Sequence, residues 1–142
     1  MSSGARFEPA VGNRRGPMQS AEALAVSMAR HAAAMRCEDV VLLDVRGLSP
    51  VADFFLIATG TSDRQMGAVA SALDDEAARM GHRRYGCSGL GGGTWVLMDY
   101  VDLVVHLFSG PSRAYYDLEM LWGDAPRIAW ESSEEADTPQ SP

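Results

Sequence analysis

Two kinds of apolar spacing alternate along the chain, and their order constrains the fold more than any other feature of the sequence. Three stretches have apolar residues three and four positions apart, as in helices, and four short apolar runs are typical of buried strands. The helical stretches are residues 20–35, 62–80 and 110–122, and the strand-like runs are residues 40–45, 54–59, 94–99 and 102–108. With 142 residues and 46% hydrophobic content, the chain can bury one core. We expect a single α/β domain in which helices pack on a β-sheet.

Serine and glycine residues mark the ends of the predicted helices. Ser20 precedes the first helix, and Ser62 opens a Ser-Asp-Arg-Gln capping box with Gln65 at the third helical position. Gly81 is the expected stop of this second helix. The last helix is predicted to run without a break over residues 110–122.

A β-hairpin is predicted from the last two apolar runs, with Tyr100 and Val101 as the tight connection, and a further short strand is predicted near residues 83–86. Alternation in the first hairpin strand places three residues on each face of the sheet. One set is Trp95, Leu97 and Asp99, and the other is Thr94, Val96 and Met98. Both sets are mostly apolar, which predicts either burial on both faces or one buried face and one partner-binding face.

Both ends of the chain lack apolar periodicity. Residues 1–19 are rich in Gly, Pro, Ser and Arg, and residues 131–142 are acidic and contain two prolines. Neither segment can bury enough apolar surface to offset its ordering entropy, so we expect two disordered tails around a domain spanning residues 20–130. No signal peptide opens the chain and no apolar run approaches membrane-spanning length, which predicts a cytoplasmic protein without membrane association.

The charge balance bears on the class of partner. The net charge is −7 and the pI about 4.8, whereas nucleic-acid binders usually carry a basic face, so direct nucleic-acid binding is not expected. Residues 21–130 contain nine arginines and fourteen acidic residues, a net −5. This charge suits a basic protein partner, although solubility alone would also explain it. All twelve basic residues are arginine, which excludes Schiff-base lysines and the lysine of phosphate-binding loops.

The sequence offers little for a metal or cofactor. Cys37 and Cys87 lie far apart with no closely spaced histidine, which predicts buried free thiols and neither a zinc site nor a disulfide. The glycine-rich residues 89–93 precede a strand, whereas nucleotide-binding loops lead into a helix. A flexible loop beside a binding surface is the better interpretation.

An enzyme remains the alternative hypothesis because the turn Thr59–Ser62 joins a strand to a helix N-terminus. Free N–H groups there donate to a capping side chain or to an anion, and capping is the favoured interpretation. A nucleotide-binding or nucleotidyl-transferring enzyme would also need closely spaced carboxylates to hold Mg²⁺. Asp99 and Asp102 are the nearby candidates, and they flank a turn instead of alternating along one strand face.

Aromatic and apolar residues are concentrated between Trp95 and Trp122. As a pattern, ordinary core explains them best, and a partner-binding face is the alternative. His106 interrupts an apolar strand, where a hydrogen-bonded structural histidine is the commoner explanation and a contact role at the sheet surface the other. The hairpin edges and aromatic residues also allow a homodimer.

Five motifs, in this order, resemble the ribosomal silencing factor family, also called the Iojap-related family. They are Asp44–Gly47 (DVRG), Ala52–Gln65 (ADFFLIATGTSDRQ), Trp95–Tyr100 (WVLMDY), Asp102–Phe108 (DLVVHLF) and Arg113–Pro126 (RAYYDLEMLWGDAP). The resemblance covers residues 21–128. It implies a mixed sheet flanked by helices, related to the nucleotidyltransferase fold but without its catalytic carboxylates, and therefore a protein that is not an enzyme.

The resemblance also implies a partner. Members of the family bind protein number fourteen of the large ribosomal subunit (uL-fourteen), sterically block joining of the small subunit and lower translation when nutrients are scarce. By motif position, eight residues are candidates for partner binding, with Arg113 either a contact or an internal partner for acidic neighbours. They are Trp95, Leu97, Asp99, His106, Arg113, Tyr116, Glu119 and Trp122. No catalytic residue, metal or cofactor is implied.

Two residues depart from the family pattern. Ser88 stands where the family usually has an acidic residue, which predicts that one charge contact to the partner is lost. Val101 stands where the hairpin usually has glycine. Because a β-branched residue resists positive φ, we expect a different type of turn.

Overall fold

The computed structural model describes residues 18–131, which form one five-stranded sheet and four helices. In chain order the elements are α1 (Ala21–Ala34), β1 (Glu38–Asp44), β2 (Phe54–Thr59), α2 (Asp63–Arg79), β3 (Gly86–Ser88), β4 (Trp95–Asp99), β5 (Leu103–Phe108), α3 (Gly110–Tyr116) and α4 (Leu118–Leu121). The strand order is β1-β2-β5-β4-β3. The long helices α1 and α2 pack on one face, and α3 and α4 lie on the other. No helix within residues 18–131 is long and apolar enough to cross a membrane.

The centre of the sheet is the parallel pair β2–β5. These strands pair from Phe54 opposite Leu103 to Thr59 opposite Phe108, whereas every other pairing in the sheet is antiparallel. All six residues of each strand are buried, as expected for strands covered on both faces. The mixed sheet flanked by helices is therefore confirmed. Its relation to the nucleotidyltransferase fold stays a prediction.

The face under α1 and α2 carries the main core. Small side chains let α1 approach the sheet closely, and Ala25, Ala29 and Ala32 are fully buried. Around them lie long apolar side chains from both helices and from alternate strand positions, among them Leu24, Met28, Leu42, Leu56, Leu73, Val96, Met98, Leu103 and Leu107. Full burial of one such side chain contributes about 1.5–3 kcal/mol, so this cluster is the larger apolar contribution to stability.

Serine caps begin α1 and α2, as predicted. Ser20 Oγ accepts a backbone N–H from the first turn of α1 at 3.0 Å, and Ser62 Oγ accepts from Gln65 N at 3.0 Å. Gln65 does not complete the predicted capping box on Ser62. Its Oε1 accepts from the N–H of Thr61, one residue earlier, and its Nε2 donates to the carbonyl of Met35. Gln65 thereby ties the start of α2 to the end of α1.

Residues with positive φ end both long helices. Gly81 has a φ of +87° after α2, where the stop was predicted, and Arg36 has a φ of +79° after α1. In each case the next N–H donates to a carbonyl of the last helical turn, at 3.0 Å for α1 and 2.8 Å for α2. Arg36 takes this conformation with a side chain, which costs about 1 kcal/mol or more relative to glycine.

Two predicted elements are wrong in detail. The last helix is not continuous, because Asp117 has a φ of +47° and separates α3 from α4. Short polar side chains such as aspartate adopt this region more readily than most residues. The short strand predicted near residues 83–86 lies instead at Gly86–Ser88, where it pairs with β4.

The C-terminal strap, residues 125–130, covers the outer edge of β1. The Leu42 carbonyl and the Asp44 N–H form hydrogen bonds of 2.8 and 2.9 Å with backbone groups of the strap. Trp130 Nε1 donates to another β1 carbonyl at 3.1 Å, and the Trp130 carbonyl accepts from an α1 arginine at 2.7 Å. Because open edge strands attract other chains, the strap protects this side of the sheet. At the opposite side of the sheet, the outer edge of β3 has no strand paired to it within the described region.

The predicted disordered tails lie almost wholly outside the described residues. Of residues 1–19 and 131–142, only 18, 19 and 131 are described. Gln19 bonds to the end of α2: its N–H donates to Met80 O at 3.0 Å, and its carbonyl accepts from His82 Nε2 at 2.6 Å. The described body thus includes Gln19, and the tails themselves stay a prediction.

Candidate functional site

Six aromatic side chains form a continuous group on the face of the sheet opposite α1 and α2. They are Phe55, Trp95, His106, Phe108, Tyr116 and Trp122, named here the aromatic cluster. The ring centroids of Trp95 and Tyr116 lie 4.6 Å apart. Phe55 lies 5.3 Å from His106 and 5.4 Å from Trp122. Aromatic pairs attract at these distances, so strands β2, β5 and β4 and the chain around α4 are held together by one set of rings.

The aromatic cluster is only partly covered. Tyr116 is 47% exposed, and Trp95 and Leu97 are partly exposed. On the same strand, Val96 and Met98 point into the main core and are at most 1% exposed. The alternation predicted for β4 is therefore confirmed. It produces one fully buried face and one that remains partly open to solvent.

His106 lies beneath this face as a neutral, hydrogen-bonded histidine. Its Nδ1 lies 3.2 Å from Trp95 Nε1. Because an indole N–H can only donate, Nδ1 accepts, and the ring proton of His106 sits on Nε2. Burial lowers the pKa of His106 from 6.5 to about 4, since the charged imidazolium would lose its solvation. Nε2 is buried and has no hydrogen-bond partner within residues 18–131.

Arg113 is an internal partner. Its guanidinium pairs with both carboxylate oxygens of Glu119, at 3.2 and 2.7 Å, and also donates to Thr59 Oγ1 at 2.9 Å and to the Asp39 carbonyl. The Arg113 side chain is 10% exposed and that of Glu119 24%. This hydrogen bonding lowers the pKa of Glu119. The pair holds α3 and α4 against the edge of the sheet, and its guanidinium has few donors left for another protein.

Asp99 and Val101 shape the hairpin turn. Val101 has a φ of +75°, so the expectation that a β-branched residue would avoid this conformation is wrong. Asp102 N donates to Tyr100 O at 2.9 Å, which makes a three-residue γ-turn around Val101. Asp99 Oδ1 accepts from Val101 N at 2.8 Å and holds the strained residue in place. Asp99 therefore has a structural role whether or not it also contacts a partner.

The polar groups of the turn that motivated the enzyme alternative bond within the protein. Gly60 N donates to Phe108 O at 2.7 Å, which extends the pairing of β2 with β5, and Thr61 N donates to Gln65 Oε1 at 3.0 Å. The Thr59 hydroxyl accepts from Arg113. Ser62 caps the helix, as the favoured interpretation predicted, and β5 and Arg113 bond the remaining two groups.

Other reactive groups of the described region are also inert or isolated. No group of three or more histidine, cysteine or acidic side chains between residues 18 and 131 could hold a metal ion. Cys37 is a buried free thiol, as predicted, whereas Cys87 is free but only half-buried. Burial raises the pKa of both cysteines, which keeps them protonated and unreactive.

Sequence reasoning missed an exposed apolar strip next to Trp122. Leu48, Met120 and Leu121 are 47%, 75% and 71% exposed. The sequence signal was the density of apolar side chains, four of them within residues 118–122. The structure adds that α4 has only one turn. One helical turn cannot bury all of them against a single surface.

The sequence and the fold agree with one known family. A model of the family described as ribosomal silencing factor during starvation matches residues 18–142. The chain belongs to the ribosomal silencing factor family. Ribosomal silencing factor RsfS of Bacillus subtilis is 47% identical over 91 residues, which are 64% of this chain and 77% of that protein. RsfS of Halalkalibacterium halodurans is 45% identical over 96 residues, 68% of this chain and 82% of that protein.

Other similar proteins and structures extend the comparison. The chloroplastic protein Iojap of Arabidopsis thaliana is 36% identical over 109 residues, 75% of this chain and 44% of that protein. A crystal structure of a Chromobacterium violaceum protein superposes with a TM-score of 0.66 at 32% identity, covering 76% of this chain and 88% of that one. A crystal structure of a Bacillus halodurans protein superposes with a TM-score of 0.62 at 38% identity, covering 76% of this chain and 95% of that one.

Proposed function

We propose that this protein binds the large ribosomal subunit through its protein number fourteen (uL-fourteen), sterically blocks joining of the small subunit and represses translation under nutrient limitation. It acts by occupying a surface and not by catalysis. The observation that carries the proposal is the partly open aromatic cluster beside Leu97, on a chain of the ribosomal silencing factor family.

Aromatic side chains at a partly open face suit a protein interface. Tyr115 and Tyr116 are 81% and 47% exposed, and Trp95 packs beside Tyr116 at 4.6 Å. Such side chains bury a large area on docking and lose little conformational entropy, because their rings are already held by neighbours. A preformed aromatic surface therefore supports tight binding without a large ordering cost.

The charge of the body favours a basic protein as partner. Residues 21–130 carry a net −5, and Asp117 and Asp124 are exposed on either side of α4. Complementary charge speeds association and selects among partners. Ser88 lies opposite Leu97 in the pairing of β3 and β4 and adds no charge at that position. Binding near Leu97 then relies on apolar contact.

The eight candidate residues divide into two roles under this proposal. Trp95, Leu97, Tyr116 and Trp122 supply contact area. The others hold that surface in place: His106 orients Trp95, Asp99 fixes the hairpin turn, and Arg113 with Glu119 anchors α3 and α4.

Co-sedimentation with isolated large subunits at near-physiological salt tests the proposal. We expect saturable binding of the full chain, and Trp95→Ala to weaken it by about tenfold or more. Tyr85→Ala is the matched control, because Tyr85 is 78% exposed and lies two residues before Cys87, which packs on the opposite face. Absence of binding by the wild-type chain would overturn the proposal, and equal loss in both variants would remove Trp95 from the interface.

A subunit-joining assay tests the steric step separately. Light scattering follows formation of complete ribosomes from purified subunits. The wild-type chain is expected to reduce joining in proportion to its occupancy of the large subunit. Binding without any effect on joining would contradict steric blocking. The homodimer stays a prediction, which equilibrium sedimentation of the free protein can decide.

A further inference from the structure

A small pocket opens at one end of the aromatic cluster. It has a volume of about 290 Å³ and is lined by Leu48, Met120, Leu121, Trp122, Gly123 and Asp124. Pockets for cofactors begin at about this volume and are usually larger. The dimensions suit a single protein side chain.

A carboxylate stands at this pocket without a partner. Every ion pair within residues 18–131 uses another acidic residue. Asp124 is exposed, and no hydrogen bond of the described region involves its side chain. A cation between Asp124 and the Trp122 indole would gain an ion pair and a contact with the aromatic ring that binds cations best.

We propose that this pocket takes one arginine or lysine side chain from the basic protein partner. The aliphatic stem lies along Leu48 and Leu121, and the charged head lies between Trp122 and Asp124. Arginine and lysine combine an apolar stem with a charged tip, which is the chemistry that this lining requires. The inference rests on the proposed function and deepens it by adding a second point of contact.

The pocket is continuous with the rest of the proposed docking surface. Ring centroids are 5.9 Å apart for Trp95 and His106, 5.3 Å for His106 and Phe55, and 5.4 Å for Phe55 and Trp122. His106 and Phe55 are buried, so this series of rings runs beneath the surface and places Trp95 and Trp122 over the same face of the sheet. A partner that covers Trp95 therefore docks on the face that also carries the pocket.

A small probe tests the pocket on the isolated full chain. n-Butylguanidine imitates the end of an arginine side chain, and n-butylurea is a neutral molecule of similar shape. We expect n-butylguanidine to shift the NMR signal of the Trp122 indole N–H saturably, with a Kd on the order of millimolar. Asp124→Asn should weaken this binding by roughly three- to tenfold. No saturable shift, or equal binding of the urea, would overturn the proposal.

The same variant is then compared on isolated large subunits. Asp124→Asn should raise the Kd by about three- to tenfold and reduce its dependence on salt. Asp75→Asn is the matched control, because Asp75 is an exposed carboxylate on α2, across the sheet from the pocket. An unchanged Kd for Asp124→Asn would overturn the proposal.

Two further outcomes separate this inference from the proposed function. If the wild-type chain fails to bind large subunits, the proposed function fails, while the n-butylguanidine titration still decides the pocket chemistry. If the wild-type chain self-associates at micromolar concentration and Asp124→Asn abolishes it, the occupant is an arginine of a second copy. That result would overturn the assignment to another protein.

Discussion

The indole N–H of Trp95 donates a hydrogen bond of 3.2 Å to Nδ1 of His106 on the neighbouring strand. This bond orients the Trp95 ring on the partly open face and also fixes the tautomer of His106. The imidazole itself is 6% exposed. A partly exposed side chain of the proposed docking surface is thus supported by a buried neighbour whose protonation state matters for stability.

Acidification should destabilise the protein through His106. Its pKa is 6.5 in an unfolded chain and about 4 in the folded protein because of burial. Between these values the unfolded state binds more protons, so stability is fully present above pH 6.5 and falls as the pH drops toward 4. Over this pH range the free energy of unfolding falls by roughly 3 kcal/mol. Urea unfolding at several pH values measures it, and His106→Gln should remove most of this part of the slope. An unchanged slope in the variant would contradict the assignment.

Loss of Arg113 should destabilise the fold. Arg113→Met leaves Glu119 half-buried without its cation and removes the bonds to Thr59 and Asp39, which costs about 2–3 kcal/mol in the free energy of unfolding. Arg46→Met is the control, because the Arg46–Asp44 pair is also bidentate but its arginine side chain is 55% exposed, against 10% for Arg113, so its loss should cost less. Chemical denaturation compares the two variants. Equal losses would mean that burial does not distinguish these ion pairs.

Replacing Val101 by glycine should stabilise the hairpin. Val101 holds a φ of +75°, a conformation that costs an L residue about 1–2 kcal/mol and glycine very little. The greater entropy of glycine in the unfolded chain offsets part of this gain. We therefore expect the free energy of unfolding, measured by heat or urea, to rise by about 1 kcal/mol. Val51→Gly is the control: Val51 is 69% exposed and has no positive φ, so glycine should reduce stability there. A loss in both variants would show that the turn is not strained.

The ends of α1 and α2 allow a reciprocal experiment. Arg36→Gly should stabilise the protein by about 0.5–1 kcal/mol, because glycine adopts the φ of +79° without steric cost. Gly81→Ala should destabilise it by a similar or larger amount, since φ is +87° there. Melting temperatures of the two variants should move in opposite directions. A shift in the same direction would exclude helix termination as the cause.

Local patterns predicted most of the secondary structure. Ser20 and Ser62 cap their helices as expected, and β4 alternates as expected, because these features depend on neighbouring residues alone. The break at Asp117 was missed because the apolar spacing continues across it. The strap at residues 125–130 was missed because its partners lie on β1, more than eighty positions away.

The candidate site was only partly predictable for the same reason. Sequence alone left Arg113 as either a contact or an internal partner, and the answer required Thr59 and Asp39, which are 54 and 74 positions distant. It also could not decide which aromatic residues are core. Phe108 is fully buried, whereas Tyr116, the last residue of α3, packs beside it and stays half-open.

The parallel pairing at the centre of the sheet has a consequence for the newly made chain. Residues 60–102 separate β2 from β5, so β2 is synthesised well before its neighbour. Until Phe108 leaves the ribosomal exit tunnel, β2 can pair with β1 only, and a strand of five apolar residues and one threonine keeps an open edge. A chain whose synthesis stops between β2 and β5 contains only part of the sheet. The unpaired backbone N–H and C=O groups of β2 then make it prone to aggregation. Folding of this protein is therefore tied to completion of its own synthesis.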